Sequence, residues 1–408
     1  MEDEKKQEKV SLPFFGVPAL LPFLKKYGLR IVAMILLGTL SSAIDSIYPL
    51  FNKYVLNHNI AYKTLDTLGY VIVLYVLLLI GKVAIDYLTL FLCSRLELWV
   101  NRDLRNAAFN HLQTLSFSYF NQNNVGYIHA RVMSDTGKIG EMVSWYMMDF
   151  VWNLAYLVSV IVVMFLTNVK LALLIMILVP VAVVIIILFQ KKLTVLNRHV
   201  RELNSKITGD FNEGITGVRS IKTLAAEERM QREFEKDTEE MRRESVRTAH
   251  HSALFNSTVT FMGSIALAMV LWRGGYLTME GIMMIGTLSV FMSYALGIMD
   301  PIQTIINTIT GLISIQVNIE RFNNLLKTES DVADTPEVIE KYGDTFEPKK
   351  ENWEELNGDI EFKDVSFKYP DGDEFVLEHF DLKVPKGSSV AIVGETGAGK
   401  STLVNLVC

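Results

Sequence analysis

Six long apolar runs, separated by polar stretches of unequal length, organise this chain. They lie at Ile31–Phe51, Leu68–Cys93, Val143–Leu166, Leu171–Phe189, Ala253–Trp272 and Met283–Ile302, and each excludes most charge. Each is near the roughly 20 residues needed to cross a hydrocarbon core, so each predicts a membrane-spanning helix. Buried core helices of a soluble protein would be shorter and more periodic. Ahead of these runs, Ser11–Lys26 mixes Leu, Phe and Pro and ends in Lys25-Lys26. It is too short to span, and reads either as a helix lying on the membrane surface or as an ordinary amphipathic lead-in.

The connections divide into two kinds. Asn52–Thr67, Thr167–Lys170 and the Gly-rich Arg273–Ile282 are short, whereas Ser94–Met142 and Gln190–Ser252 are long, polar and rich in Lys and Arg. The positive-inside rule puts the long stretches in the cytoplasm, and six spans then put both termini there as well. Glu97–Leu115 has apolar residues at helical spacing, and Val200–Phe211 and Glu227–Thr248 are helical in pattern and free of Pro. Helices of that size would carry the bundle about 25–30 Å or more beyond the membrane. Reversals are expected near Asn121–Ser134 and Gly214–Thr223, at glycines 126, 214 and 217, and read as docking tips or as plain solvated turns.

Beyond the last span the pattern changes. A helix is expected to about Leu326, then an acidic linker with Pro336 and Pro348 over Thr328–Leu356. Ile360–Phe367 alternates as a strand, Tyr369-Pro370-Asp371-Gly372 is a turn, and Phe375–Val384 is a second strand region. Pro385-Lys386-Gly387 then turns into Ser388–Val393, an apolar β-branched run that predicts a buried parallel strand. Gly394-Glu395-Thr396-Gly397-Ala398-Gly399-Lys400-Ser401 follows, with Thr402–Val407 as the first turns of a helix. This is a complete G-x-x-x-x-G-K-[ST] phosphate-binding loop. The glycines let successive N–H groups point inward, Lys400 reaches the β- and γ-phosphates, and the Ser401 hydroxyl ligates Mg²⁺.

Composition agrees with the membrane reading: half of the residues are hydrophobic and the mean hydropathy is +0.27. A net charge of −6 gives no sign of a nucleic-acid partner. The cysteines, Cys93 and Cys408, form no disulfide framework or metal-site spacing. Charged residues within the spans are costly in lipid and are expected to face a cavity or a partner. Lys82 and Asp86 are four apart and suit an intrahelical pair, Asp45 has no local partner, and Asp300 precedes Pro301 and marks a possible kink. His250 and His251 are adjacent and do not share a helix face, which argues against a metal pair. Tyr369 could stack on an adenine base, but on spacing alone a packed turn tyrosine is the simpler reading.

With these pieces assembled the chain resembles an ABC exporter subunit of the multidrug or lipid-flippase type. The resemblance covers nearly the whole length. It runs through Leu104-Arg105, His111–Ser116, Tyr119-Phe120, Gly126, Arg131 and Asp135. It continues in Glu213, Gly217, Ile221-Lys222, Glu227 and Glu320-Arg321-Phe322, and ends in Val365–Tyr369 and the phosphate loop. It implies an α-helical membrane protein of the six-span ABC exporter type with long cytoplasmic helices, followed by the N-terminal part of an α/β nucleotide-binding domain. The implied organisation is a tail and interfacial elbow over 1–28, a transmembrane domain over 29–326, a linker over 327–357 and an incomplete nucleotide domain over 358–408. ATP and Mg²⁺ are the implied cofactors. Tyr369 falls at the adenine-stacking position. Gly394, Glu395, Thr396, Gly397, Ala398, Gly399, Lys400, Ser401 and Thr402 are the implied nucleotide-binding residues, with Ser401 on the metal.

The two docking tips look like coupling helices that transmit nucleotide state to a cavity between two subunits. The resemblance therefore implies a homo- or heterodimer in the bacterial plasma membrane. Its partners would be membrane lipids and a hydrophobic drug, lipid or peptide, exported by alternating access. The family's later nucleotide motifs, including Walker B and the signature loop, are not in this sequence, so no catalytic residue is assigned. The expectation is a truncated chain that does not hydrolyse ATP alone, with an unstable nucleotide domain. The alternative is a truncated or non-catalytic partner subunit with a structural or regulatory role.

Overall fold

A computed structural model describes residues 16–330, 332–355, 357–369, 372 and 374–407. The first part of the surface-helix segment, Ser11–Phe15, and Cys408 lie outside the described residues. The chain divides into two compact units at residue 331.

The described residues of the first unit form helices joined by short turns, because in hydrocarbon every backbone N–H and C=O must be satisfied within its own segment. Its long elements are α2 (Gly28–Tyr54), α3 (Leu68–Gln113), α7 (Met147–Thr167), α8 (Val169–Thr216), α10 (Glu227–Met279), α11 (Ile285–Gly297) and α12 (Met299–Lys327). They provide six stretches long and apolar enough to cross a membrane. The short α1 (Val17–Leu24) and a single 3₁₀ turn over Lys25–Tyr27 precede α2. At 46, 48 and 53 residues, α3, α8 and α10 are about 70–80 Å long, more than twice the hydrocarbon thickness. The polar stretches are thus continuations of the spans.

The chain reverses through α4 (Phe117–Gln122) and α5 (Val125–His129), and again through α9 (Val218–Thr223). Gly126, expected at the first break, lies inside α5. The break is at Asn123 and Asn124, both extended, and the Asn124 carboxamide oxygen accepts the Tyr127 N–H at 2.7 Å. An asparagine that caps the next helix does what a flexible residue was expected to do. Gly217 does end α8, and a Cβ there would lie 2.8 Å from the Glu213 carbonyl oxygen. The Gly-rich connection expected at Arg273–Ile282 is mostly helix, since α10 continues to Met279. Gly274 serves packing there: a Cβ would come within 2.7 Å of Leu288 Cδ1 on α11.

Two apolar cores hold this unit. One joins α7, α8, α10, α11 and α12 through residues such as Val160, Ile175, Ala266, Phe291 and Tyr294. The other gathers α1, α2, α3, α12 and α6 (Thr136–Glu141) around Met34, Leu96, Leu104, Ile139 and Phe322. The buried positions of α3, at Cys93, Leu96, Val100, Leu104, Ala108 and Leu112, form one stripe at three- and four-residue steps. Leu74, Leu77, Ile80 and Val83 face outward, where lipid is as good a neighbour as protein.

The charges in the spans find partners that hydropathy does not reveal. Lys82 pairs with Asp86 at 2.8 Å along α3 and with Asp45 at 3.2 Å across to α2. Ser41 donates to Asp86, and the Lys82 ammonium lies 5.6 Å from the Trp152 ring centre on α7. Asp45, unpartnered by local spacing, is therefore part of a cross-helix ion pair. At Asp300-Pro301 the last span breaks between α11 and α12 at Ile298. Pro301 has no N–H to return to the Gly297 carbonyl, which accounts for the interruption.

In the second unit the expected linker is structured in part. Helix α13 (Pro336–Tyr342) is capped by the Thr335 side chain, and Gly343, at φ +80°, pairs with Pro348. Strands β1 (Ile360–Phe367) and β2 (Leu377–Val384) pair antiparallel from Ile360↔Val384 to Phe367↔Leu377, with two irregularities around Val365. The Gly372 N–H donates to the Tyr369 carbonyl at 3.0 Å, closing the expected turn, while Pro370 and Asp371 lie outside the described residues. The predicted buried strand at Ser388–Val393 does not form. Those residues are exposed, and no strand among the described residues pairs with them. A strand needs a neighbouring backbone to satisfy its N–H and C=O groups, and an apolar sequence alone supplies none.

Candidate nucleotide site

After β2, Gly387 (φ +79°) makes a turn in which the Ser388 N–H returns to the Pro385 carbonyl at 3.1 Å. The chain then runs irregularly to Glu395, and helix α14 (Lys400–Asn405) begins at Lys400. Between them, Gly397 at φ +92° and Gly399 at φ +77° take conformations that side chains with a Cβ avoid. Gly399 is constrained twice, because a Cβ would also approach Val376 Cγ1 to 2.8 Å. A turn closed by the Ala398 N–H on the Glu395 carbonyl at 3.2 Å completes the curl.

The Lys400 ammonium folds back over this loop. It donates to the Gly394 carbonyl at 2.9 Å and the Glu395 carbonyl at 2.6 Å. The structure thus gathers Gly394, Glu395, Thr396, Gly397, Ala398, Gly399 and Lys400 into one loop, with Ser401 exposed on the first turn of α14. Thr402 is buried, and its hydroxyl lies 3.1 Å from the Tyr369 hydroxyl. Tyr369, upstream by more than thirty residues, is therefore brought to the loop's helix. Its ring meets Phe367 edge-on at 5.1 Å and remains 40% exposed.

The arrangement fits a polyphosphate with a hard divalent cation. Two left-handed glycines turn a short backbone segment so that N–H groups can converge on an anion. A lysine held by carbonyl oxygens can exchange them for phosphate oxygens, which bind an ammonium more strongly. An exposed hydroxyl at the helix start is a suitable single ligand for Mg²⁺, which keeps several of its waters. Val376 is not part of the phosphate-loop motif. It is more than twenty residues from Gly399, and nothing in its local sequence announces that it forms a wall behind the loop.

Similarity to known proteins follows the same order along the chain. Residues 31–302 match the family described as ABC transporter transmembrane region, and residues 377–408 match the ABC transporter domain family. The ATP-dependent lipid A-core flippase of Desulfotalea psychrophila is 26% identical over 80% of this chain and 54% of its own length. The Bacillus subtilis protein named "Probable multidrug resistance ABC transporter ATP-binding/permease protein YheH" is 30% identical over 82% of this chain and 48% of its own. The ABC transporter ATP-binding protein YknV of the same organism is 27% identical over 95% of this chain and 62% of its own. The chain spans about half to two thirds of the length of such relatives. Six apolar helices and a family match over more than half of the sequence mean that this multi-pass membrane chain belongs to the ABC transporter transmembrane region family.

Proposed function

We propose that this chain is a subunit of an ATP-driven exporter that moves an amphipathic or hydrophobic substrate out of the cytoplasm. The observation that carries the reading is the Gly394–Ser401 loop, with Lys400 folded over it, in the same chain as six family-matched spans. Lys400 and the loop N–H groups hold the phosphates of ATP, Ser401 is a ligand for Mg²⁺, and Tyr369 lies against the adenine. Bound ATP supplies the free energy of phosphoryl transfer.

In this reading the reversals at α4–α5 and α9 dock on nucleotide domains, and a second subunit completes both the site and the cavity. Nucleotide state then biases the spans between inward- and outward-facing arrangements. The Lys and Arg of the long stretches favour an orientation with both termini in the cytoplasm, in a bacterial plasma membrane. Relatives named for multidrug export and for lipid A-core flipping support an apolar or amphipathic substrate.

The test is equilibrium binding of Mg·ATP by the chain and by its Lys400→Ala variant. Loss of a charge-assisted contact worth about 1.5–3 kcal/mol weakens binding by about ten- to a hundredfold. Equal affinity for both proteins would remove the role given to Lys400. ATP-dependent substrate uptake into vesicles by the transporter carrying this chain tests the export reading separately.

A further inference from the structure

We propose that the end of the first two spans, where Lys25–Arg30 meets Arg95–Arg102, binds the headgroup of an anionic phospholipid. The placement follows from the hydropathy. Lys25, Lys26 and Arg30 lie ahead of the first apolar run, which starts at Ile31, and Arg95 and Arg102 lie past the second, which ends at Cys93. The two spans are antiparallel neighbours, so these residues share one polar–apolar boundary.

Three aromatic rings organise the cations. Tyr27 is buried and stacks on Trp99 with ring centres 5.7 Å apart. The Arg30 guanidinium lies 4.2 Å from the Trp99 ring centre, and that of Arg95 lies 5.9 Å from the same ring and 4.8 Å from that of Phe91. A guanidinium stacked on a ring keeps its N–H donors free at the edge, where they suit a phosphate. Among the described residues Asp103 is the carboxylate that pairs with this cluster, and it is already engaged. It pairs with Lys26, accepts from Tyr27 Oη at 2.6 Å and pairs with Arg102 at 2.9 Å. Lys25, Arg30 and Arg95 have no carboxylate within ion-pair distance among the described residues and are exposed. Glu97, on the same stretch of α3, accepts from Trp145 Nε1 at 2.7 Å.

The surroundings select a lipid over a water-soluble anion. Leu29, beside Arg30, is 85% exposed, and Leu98, beside Trp99, is 67% exposed. Phe91, Arg95, Leu98 and Arg102 follow one another at steps of three and four along one face of α3. A phosphate held by the arginines thus has exposed apolar surface next to it for the acyl chains. Tryptophan and basic side chains at such a boundary are matched to headgroup depth.

The experiment titrates phosphatidylglycerol, and separately phosphatidylcholine, into the full chain in neutral detergent, and reads the rise in melting temperature and the number of lipids retained by native mass spectrometry. Wild type should prefer phosphatidylglycerol. Arg30→Gln/Arg95→Gln should weaken that binding by on the order of fivefold for each cation removed. Lys191→Gln/Lys192→Gln, a basic pair at the end of another span, should leave it unchanged. If the double variant does not fold, Arg95→Gln alone carries the test with a single fivefold loss.

Undiminished binding by the arginine variants, or an equal loss in the lysine control, would overturn the site. Inorganic phosphate matching the lipid's effect would reassign it to a free anion, and polyglutamate binding in place of lipid would reassign it to an acidic protein segment. The readout involves no nucleotide, and the lipid is offered to both ends of the protein. The result therefore stands apart from the exporter reading and from membrane orientation.

Discussion

At the scale of single residues, the site turns on groups whose partners lie far away in sequence. Tyr369 has two contacts to lose: its ring, available for stacking, and its hydroxyl, bonded to Thr402. If stacking on adenine is its role, Tyr369→Ala weakens ATP binding by about 1–3 kcal/mol. Tyr369→Phe keeps the ring and stays within about 1 kcal/mol of wild type, the worth of one neutral hydrogen bond. Isothermal titration of both variants separates the two, and equal losses would assign the tyrosine to structure. Asp210 and Asp237 lie between α8 and α10, well beyond the apolar run that ends at Phe189. Lys206 donates to Asp237 at 2.6 Å and holds its carboxyl below the ordinary value. Burial, then the neighbouring Asp237, push Asp210 above the ordinary 3.8. A raised acid favours the folded state when protonated, so Asp210 stabilises below pH 3.8 and costs stability as pH rises through its folded value. Asp210→Asn should therefore raise the melting temperature at pH 7.5, and the gain should vanish near pH 3.5. A gain independent of pH would contradict this origin.

At the scale of elements, close helix contacts decide which substitutions are tolerated. The Gly286 N–H at the start of α11 donates to the Asn57 carboxamide at 2.8 Å. A Cβ on Gly286 would meet both that side chain and the Lys53 backbone carbonyl at 2.5 Å. Backbone cannot yield cheaply, so Gly286→Ala should destabilise by about 1–3 kcal/mol, the usual cost of overpacking. Gly38 looks as crowded, with Met148 Cε 2.3 Å from a Cβ, but that atom is the end of a flexible chain. Gly38→Ala should cost less than half as much. Thermal unfolding of the two variants in one detergent checks the order, and a reversed order would show that α2 against α7 is the stiffer contact. Neither glycine's role can be read from its neighbours in sequence, since both occur in ordinary apolar runs.

At the scale of the whole molecule, the membrane unit leaves the apolar first half of α3 uncovered while α11 and α12 are more than half buried. None of the most apolar window of α3 is buried, against 56% of that in α11–α12. Spin labels at Leu77 and Ile80 should therefore be strongly relaxed by oxygen dissolved in lipid, and a label at Ile302 should not. Similar accessibility at all three positions would mean that α3 is covered by protein. The sequence by itself determined the six spans, the extended polar helices, the two strand segments and the glycine-rich loop that follows them. Those features rest on local physics: run length against membrane thickness, helix bonds four residues apart, and glycines that accept positive φ without steric cost. Only the tertiary structure decided that Asp45 has Lys82 as its partner and that Val376 walls the loop. It also brought Tyr369 to Thr402, left Ser388–Val393 without a strand partner among the described residues and let Arg30 and Arg95 share one indole. Each of these depends on how one element is rotated and seated against another, and hydropathy carries no information about that rotation.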